Sequence, residues 1–575
     1  MHPCIRDDAE PYRVLASANI MRFVSYTRVR VNREDAIQND VRDLERLGYA
    51  QQLFREMGGF SNFAVSFSII SILTGAVLLY GYGLKFGGPL VNSVGWPLVS
   101  LLTLAVAASM AEIASAYPTA GGLYFWAFRL GGRTWAWTTA WLNMIGQVAI
   151  TAGINIAAAI YLIGAVTRIL GIPTDARFTN WYFQLFVMVL ILIPQIIINV
   201  WGIRLTARLS DISVWWHIAG VFLIAILLAF YGTHHNSLAF LLSFQPAAPA
   251  VEPVLAIGEI VIPSPLFRIV PGLSSLYAAA PALLLFVLAL LQAQWTYTGY
   301  DASAHMAEET IMARRNSAWG IVLSVGVSAI AGYVLLMILT WCIPNGDVAA
   351  TANDPYPVLY IVSNNLTPVL ANAIAIVIGV AMWLCGVASV TSMGRMWYAF
   401  ARDDGMPGSR WLKRVSGAHR TPVIAILVTC ALSVAICFYA AAWFVVTSIS
   451  TICLYLAYGI PIYLNLRNRR RGSGEYMTPD VAYWNLGRWS SIVNAIAITW
   501  IAIITVIFML PPNELVLWTM IAVAIVLTLH WRLSARHKFA GPPDGGGGGI
   551  RTHGTVPGTA VFKTAALNHS TTPPD

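Results

Sequence analysis

Apolar runs long enough to cross a bilayer recur along the chain from residue 62 to residue 533. About 20 apolar residues make one helical crossing. By that measure the runs fall at 62–83, 94–116, 135–163, 181–200, 208–231, 280–304, 317–343, 370–398, 422–441, 443–465, 490–511 and 514–533, which makes twelve spans. Hydrocarbon offers no water to backbone N–H and C=O groups, so each run is expected to be a helix. The expected class is an all-α polytopic membrane protein. Composition agrees: 57% of residues are hydrophobic and 11% are charged, against about 25% charged in soluble domains. Three parts are expected: a cytoplasmic N-terminal segment at 1–60, a twelve-helix domain at 61–534, and a tail at 535–575. Five consecutive glycines near the start of that tail make it flexible and cytoplasmic in this reading.

The chain carries 35 Lys and Arg and a net charge of +9. With the N-terminus inside, 31 of the 35 fall in cytoplasmic segments and four outside: Lys85, Arg168, Arg177 and Arg268. That asymmetry follows the positive-inside rule, so both termini are expected in the cytoplasm. The surplus faces a membrane leaflet and implies no nucleic acid. The six cysteines, Cys4, Cys342, Cys385, Cys430, Cys437 and Cys453, lie mostly in apolar runs without metal-ligand spacing. Neither a disulfide framework nor a metal site is expected. No signal peptide is visible. Leu44, Leu47, Phe54 and Met57 recur at helical spacing, which reads either as a surface amphipathic helix before the first span or as a solvated linker.

Residues 295–310 break the pattern. An apolar run from Pro281 to Leu291 turns aromatic and hydroxylic, with Gly299 in the middle, and then brings Asp301, His305, Glu308 and Glu309. Ionisable groups at membrane depth are costly and point to function. The first span carries a matching interruption, with Thr74-Gly75 placed as Thr298-Gly299 is in the sixth. Glycine-interrupted segments at equivalent places in two five-span halves suggest an inverted five-plus-five repeat with broken helices 1 and 6 and a site at the midplane.

Three motifs carry a resemblance. Ala111-Glu112, Tyr117-Pro118 and Ala120-Gly121-Gly122-Leu123-Tyr124 follow the second span. Gly299-Tyr300-Asp301, then Ala307-Glu308-Glu309, follow the sixth. Ala401-Arg402-Asp403-Asp404-Gly405-Met406-Pro407, then Thr421-Pro422, join the eighth and ninth. In this order they resemble the amino acid–polyamine–organocation superfamily, over about residues 55–470. Ser66-Phe67-Ser68-Ile69-Ile70-Ser71 and Ser213-Val214-Trp215-Trp216-His217 look most like its amino acid/choline transporter branch. The resemblance implies alternating access and secondary active uptake at the plasma membrane, with no covalent chemistry. It departs at the first break: members specific for α-amino acids carry G-[ST]-G, and Ile72-Leu73-Thr74-Gly75 keeps one of the two glycines.

The expected substrate contacts are Ile72, Leu73, Thr74 and Gly75 at the first break and Trp295, Thr296, Tyr297, Thr298, Gly299 and Tyr300 at the second. Aromatic faces there suit an ammonium or alkyl group. His217 stands alone in the fifth span, where some proton-coupled relatives place a lysine. It reads either as a proton carrier or as a core histidine bonded to a carbonyl. Asp301 reads as a helix cap or as an amine partner. His305 and Glu308 follow it at i+4 and i+7, either as a cytoplasmic gate closed by a base such as Arg395 or as a solvated helix end. Ser389, Thr391 and Ser392 lie where sodium-coupled relatives bind their ion, although such hydroxyls commonly bond their own backbone. The expectation is a permease for an amino acid or small amine, driven by protons and alternatively by sodium, with no other cofactor. Choline, γ-aminobutyrate and polyamine remain alternative substrates, and a nutrient sensor is the reading from another class. An enzyme is not expected.

Overall fold

The computed structural model describes residues 32–173, 176–248, 250–251, 254–257, 260–439 and 443–543. These residues are mostly helical; one antiparallel hairpin pairs Val254–Ile257 with Ile260–Pro263. Among the described residues, ten helices are long and apolar enough to cross a membrane. An eleventh counts if the pair Leu273–Ala279 and Pro281–Thr296, bent by 95°, is one crossing. The remaining expected span, 422–441, corresponds to the shorter apolar helix Val423–Phe438. The division expected between 441 and 443 lies outside the described residues.

Burial separates inner from outer helices. In the most apolar window, 83% of the first span is buried inside the protein, as is 89% of both Arg133–Ile169 and Val445–Arg471. The figures for Gly487–Ile507 and Glu514–Lys538 are 33% and 17%, so the last two helices stand at the lipid-facing edge. Arg133–Ile169 has 37 residues, about 55 Å of helix, which exceeds the hydrocarbon thickness. The halves repeat their pairings. The first span packs on Ala313–Trp341, and the broken segment Leu291–Thr296 packs on Trp96–Ala116. Arg133–Ile169 lies along Trp443–Arg471, and Pro368–Arg402 lies along Ile203–Tyr231.

The segment before the first span departs from the expected surface helix. Its helix is Arg33–Arg46, opened by the Asn32 side chain accepting from Glu34 N–H. It closes where Tyr49 N–H donates to the Leu44 carbonyl (3.1 Å). Phe54 and Met57 therefore follow in non-helical chain. Tyr49, Leu53 and Met57 are buried all the same. Glu56 and Met57 N–H groups donate to the Glu309 carbonyl (3.0 and 2.9 Å), and Ile311 N–H donates to Met57 (2.9 Å). Residues 47–57 thus form a strap bound to the chain after the sixth-span break, and protein contacts, not lipid, bury its apolar side chains. At the other end of the chain, Phe539 packs on Phe400 at 5.6 Å between ring centres. Cys342, Cys385, Cys430, Cys437 and Cys453 are buried free thiols. Cys4 and tail residues 544–575 lie outside the described residues.

Candidate functional site: two facing helix breaks

The first span is helical over Gly59–Ile70 and again from Gly75. Between them Ser71 takes a left-handed conformation (φ 35°), and its carbonyl accepts from Thr74 and Gly75 N–H (2.7 and 2.9 Å). The Ser71 hydroxyl meets Thr74 Oγ1 at 2.6 Å and His217 Nε2 at 2.7 Å. His217 Nδ1 lies 2.7 Å from the Ser213 carbonyl. A carbonyl only accepts, so the neutral ring carries its proton on Nδ1 and takes the Ser71 hydroxyl on Nε2. A second proton on Nε2 would turn that nitrogen into a donor, and the Ser71–Thr74 pair can reverse to receive it.

The second break follows Leu291–Thr296 and ends at Ala302–His305. Gly299 sits at φ 86°, and a Cβ there would lie 2.2 Å from Ile69 Cγ2. Only glycine fits this close approach to the first span. Its N–H donates to Tyr458 Oη (3.2 Å), and Tyr455 Oη donates to the Tyr297 carbonyl (2.5 Å). Two side chains of Trp443–Arg471 thus satisfy backbone that unwinding sets free.

Asp301 is fully buried. Its carboxylate accepts from Tyr458 Oη (2.9 Å), Asn143 Nδ2 (3.0 Å) and Gln147 Nε2 (3.1 Å), and it meets His305 Nε2 at 3.1 Å. His305 Nδ1 faces the Ala120 carbonyl at 3.1 Å. Both partners of this ring accept, so both contacts are satisfied when it carries two protons. The Asp301 side chain makes no N-cap bond to its own helix; it ties the second break to the third and tenth expected spans and to His305.

A cavity of about 10 Å³ lies between the breaks, lined by Ile69, Ile70, Thr74, Gly75, Ile150, Ile154, Trp295, Thr296 and Thr298. That is room for about one water, so this conformation is closed. Five of the ten expected substrate contacts line it: Thr74, Gly75, Trp295, Thr296 and Thr298. Trp295 Nε1 is held by Ser450 Oγ at 3.1 Å. Ile72 and Leu73 are buried away from it. Tyr297 turns to Ser100 Oγ (2.6 Å) and packs on Trp96, and Tyr300 packs on Tyr455 and Tyr458. Ser389 pairs with Thr151 (2.7 Å), and Thr391 donates to Asn199 (2.7 Å). The Ser392 hydroxyl is buried without a partner among the described residues.

Below the second break a buried ionic cluster closes the face that carries the strap. Glu308 takes a bidentate contact from Arg402 (2.8 and 2.9 Å), and Glu309 takes Arg395 (2.9 Å). The expected pairing of Glu308 with Arg395 is thereby corrected. The chain after His305 tightens into a 3-10 turn at Ala307–Glu309, which rotates the two glutamates onto separate arginines. Ala120 N–H also donates to Glu308 (3.0 Å). From the strap, Arg55 donates to the carbonyls of Ala307 and Thr310, and Gln51 donates to that of Glu308 (2.8 Å). Arg402 lies over the Tyr49 ring at 3.9 Å, and Tyr49 and Tyr124 both donate to Asp403.

Sequence reasoning missed several of these partners. Asn143, Gln147, Thr151 and Asn155 recur every four residues, a polar stripe on one helix face that the sequence does display. Tyr455 and Tyr458 share a face in the same way. Arg402 lies in a quoted motif and the strap shows apolar spacing, but neither names its partner, because the partners lie 94 and about 250 residues away in sequence.

The amino acid permease family pattern matches residues 58–531. A rice (Oryza sativa subsp. japonica) protein named amino-acid permease BAT1 homolog is 34% identical over 528 residues, covering 87% of this chain and 94% of that protein. Amino-acid permease BAT1 of Arabidopsis thaliana is 33% identical over 530 residues, covering 87% and 95%. The GABA-specific permease of Saccharomyces cerevisiae is 28% identical over 410 residues, covering 70% and 66%. The chain therefore belongs to the amino acid permease family of the amino acid–polyamine–organocation superfamily: it is a multi-pass membrane transporter of amino acids and not an enzyme.

Proposed function

We propose that this permease takes up a zwitterionic amino acid across the plasma membrane by alternating access, driven by protons, with both termini in the cytoplasm. The reading rests on the occupancy of the charged groups around the breaks. Asp301, Glu308 and Glu309 are each committed to protein donors. The cavity between the breaks offers threonine hydroxyls, backbone groups and the Trp295 ring. Such a site balances a substrate that brings both of its own charges better than an uncompensated cation. Carboxylate recognition would fall to backbone N–H groups at the unwound turns. The γ-aminobutyrate alternative keeps that charge balance, whereas choline and polyamine do not.

His217 is the proposed proton carrier. Its Nε2 meets Ser71 at the first break, so loading a proton there reverses a hydroxyl pair ending at Thr74 in the cavity wall. A sodium ion is the alternative coupling species, but Ser389 and Thr391 are engaged by other helices.

Proteoliposome uptake tests both parts. A panel of zwitterions and cations competes against one labelled amino acid, with and without an inward proton gradient. Zwitterions are expected to compete and choline to fail. His217→Ala is expected to abolish gradient-driven accumulation while leaving counterflow exchange. Choline competing as well as amino acids would reject the substrate class; undiminished accumulation in the variant would reject the carrier.

A further inference from the structure

The face that carries the strap also holds a hollow of about 680 Å³, separate from the transport site. It lies between the end of Trp443–Arg471 and the turn that precedes Arg133–Ile169, and its lining includes Arg129, Arg467, Asn468, Arg471, Ser473 and Glu475. Its rim is built. Asn468 Nδ2 donates to the carbonyls of Leu130 (2.9 Å) and Glu475 (2.8 Å), joining the two walls. Arg467 Nε and Nη2 are oriented by Asn468 Oδ1 (3.2 and 3.0 Å).

Three arginines therefore face one glutamate, and that glutamate is already neutralised. Glu475 takes Arg129 on both oxygens (2.5 and 3.0 Å) and also Tyr117 Oη (3.0 Å). Among the described residues, Arg467 and Arg471 have no carboxylate within salt-bridge distance, nor do neighbouring Arg133 and Arg470. One helical turn toward the membrane, Trp135 packs on the exposed Tyr463 at 6.1 Å between ring centres. Aromatic pairs of this kind sit at the level of lipid headgroups. A basic hollow at that level suits a polyanion attached to a bilayer.

We propose that this hollow binds a glycerophospholipid whose head carries two or more phosphate groups. Arg467 and Arg471 bind the phosphates, with Ser473 as a hydroxyl donor. Fork-shaped guanidinium groups match phosphate oxygens. The bound lipid joins the ends of the two helices that supply Asn143, Gln147 and Tyr458 to Asp301. This rests on the proposed function only in requiring that the arginine-rich face meet a leaflet. It is read by binding, so a failed transport assay leaves it standing.

The test is native mass spectrometry of the full chain released from nanodiscs holding equal phosphatidylcholine, phosphatidylserine and phosphatidylinositol 4,5-bisphosphate. The bisphosphate lipid is expected to be retained preferentially. Retention falls on the order of tenfold in R467Q/R471Q and persists in R467K/R471K. R532Q/R536Q, at exposed basic positions of the last helix, retains the lipid as the unmodified protein does. Should the glutamine pair melt early in detergent, R471Q alone serves, with a loss of about fivefold. Equal retention of all three lipids, or full retention in the glutamine variants, overturns the site. Soluble inositol hexakisphosphate binding as tightly in phosphatidylcholine discs as the lipid does would overturn the lipid as its occupant.

Discussion

At the first break the side chains meeting the unwound turn are neutral: a serine, a threonine and His217. At the second they include a carboxylate ringed by four contacts, three from two other helices and one from His305 in its own. The first arrangement can reverse the direction of its hydrogen bonds without changing its atoms' positions. The second cannot, because a carboxylate only accepts. The contrast assigns different work to the halves. On the proposed proton coupling, the first break would register the proton, and the second would hold the second broken span in place until a larger rearrangement releases it.

Removing the carboxylate tests that assignment most severely. Asp301→Ala leaves Asn143, Gln147 and Tyr458 with unpaired buried donors, and the expected loss is about 3–5 kcal/mol. Fluorescence-detected size exclusion should show a collapse of monodisperse protein; a variant as stable as the unmodified chain would erase the distinction between the breaks. Next in size is Glu308→Gln, which takes a charge from the bidentate Arg402 contact. It is expected to raise modification of a cysteine placed at Ala302, by a reagent added on the strap side, on the order of tenfold. Ser71→Ala removes two neutral hydrogen bonds, to Thr74 and His217, and should cost on the order of 1 kcal/mol of stability. It should still move the pH midpoint of uptake, whereas the same loss at Thr391 should not. The smallest effect is expected for Trp295→Phe, which keeps an aromatic face and loses the Ser450 bond. KM should rise about fivefold.

The fold class was legible because lipid forces one solution, and the two breaks were legible because glycine and hydroxyls interrupt otherwise apolar text. Within the breaks legibility stopped. Once the helix unwinds at Tyr297 the 3.6-residue phase is lost, so sequence spacing no longer says where Tyr297 and Tyr300 point. They face neighbouring helices, while Thr296 and Thr298 face the cavity. Asp301 reads locally as a cap, yet its partners arrive from residues 143, 147 and 458. Arg395 does pair with an acidic residue after the break, Glu309. The tight turn at Ala307–Glu309 decided which acid it received, and a turn of that kind leaves no periodic trace.

Under the proposed alternating access, the strap would give the N-terminal arm a mechanical role. Arg55 supplies the donor for two carbonyls, Ala307 and Thr310, beside the mouth that the ionic cluster seals. In the proposed cycle that mouth would part once per turnover, and the arm would be carried along or released each time. The position of residues 47–57 is then a stroke counter: a spin label on the strap and another on the Arg133 helix would read the cycle as a change in distance, with no substrate analogue and no label near the cavity.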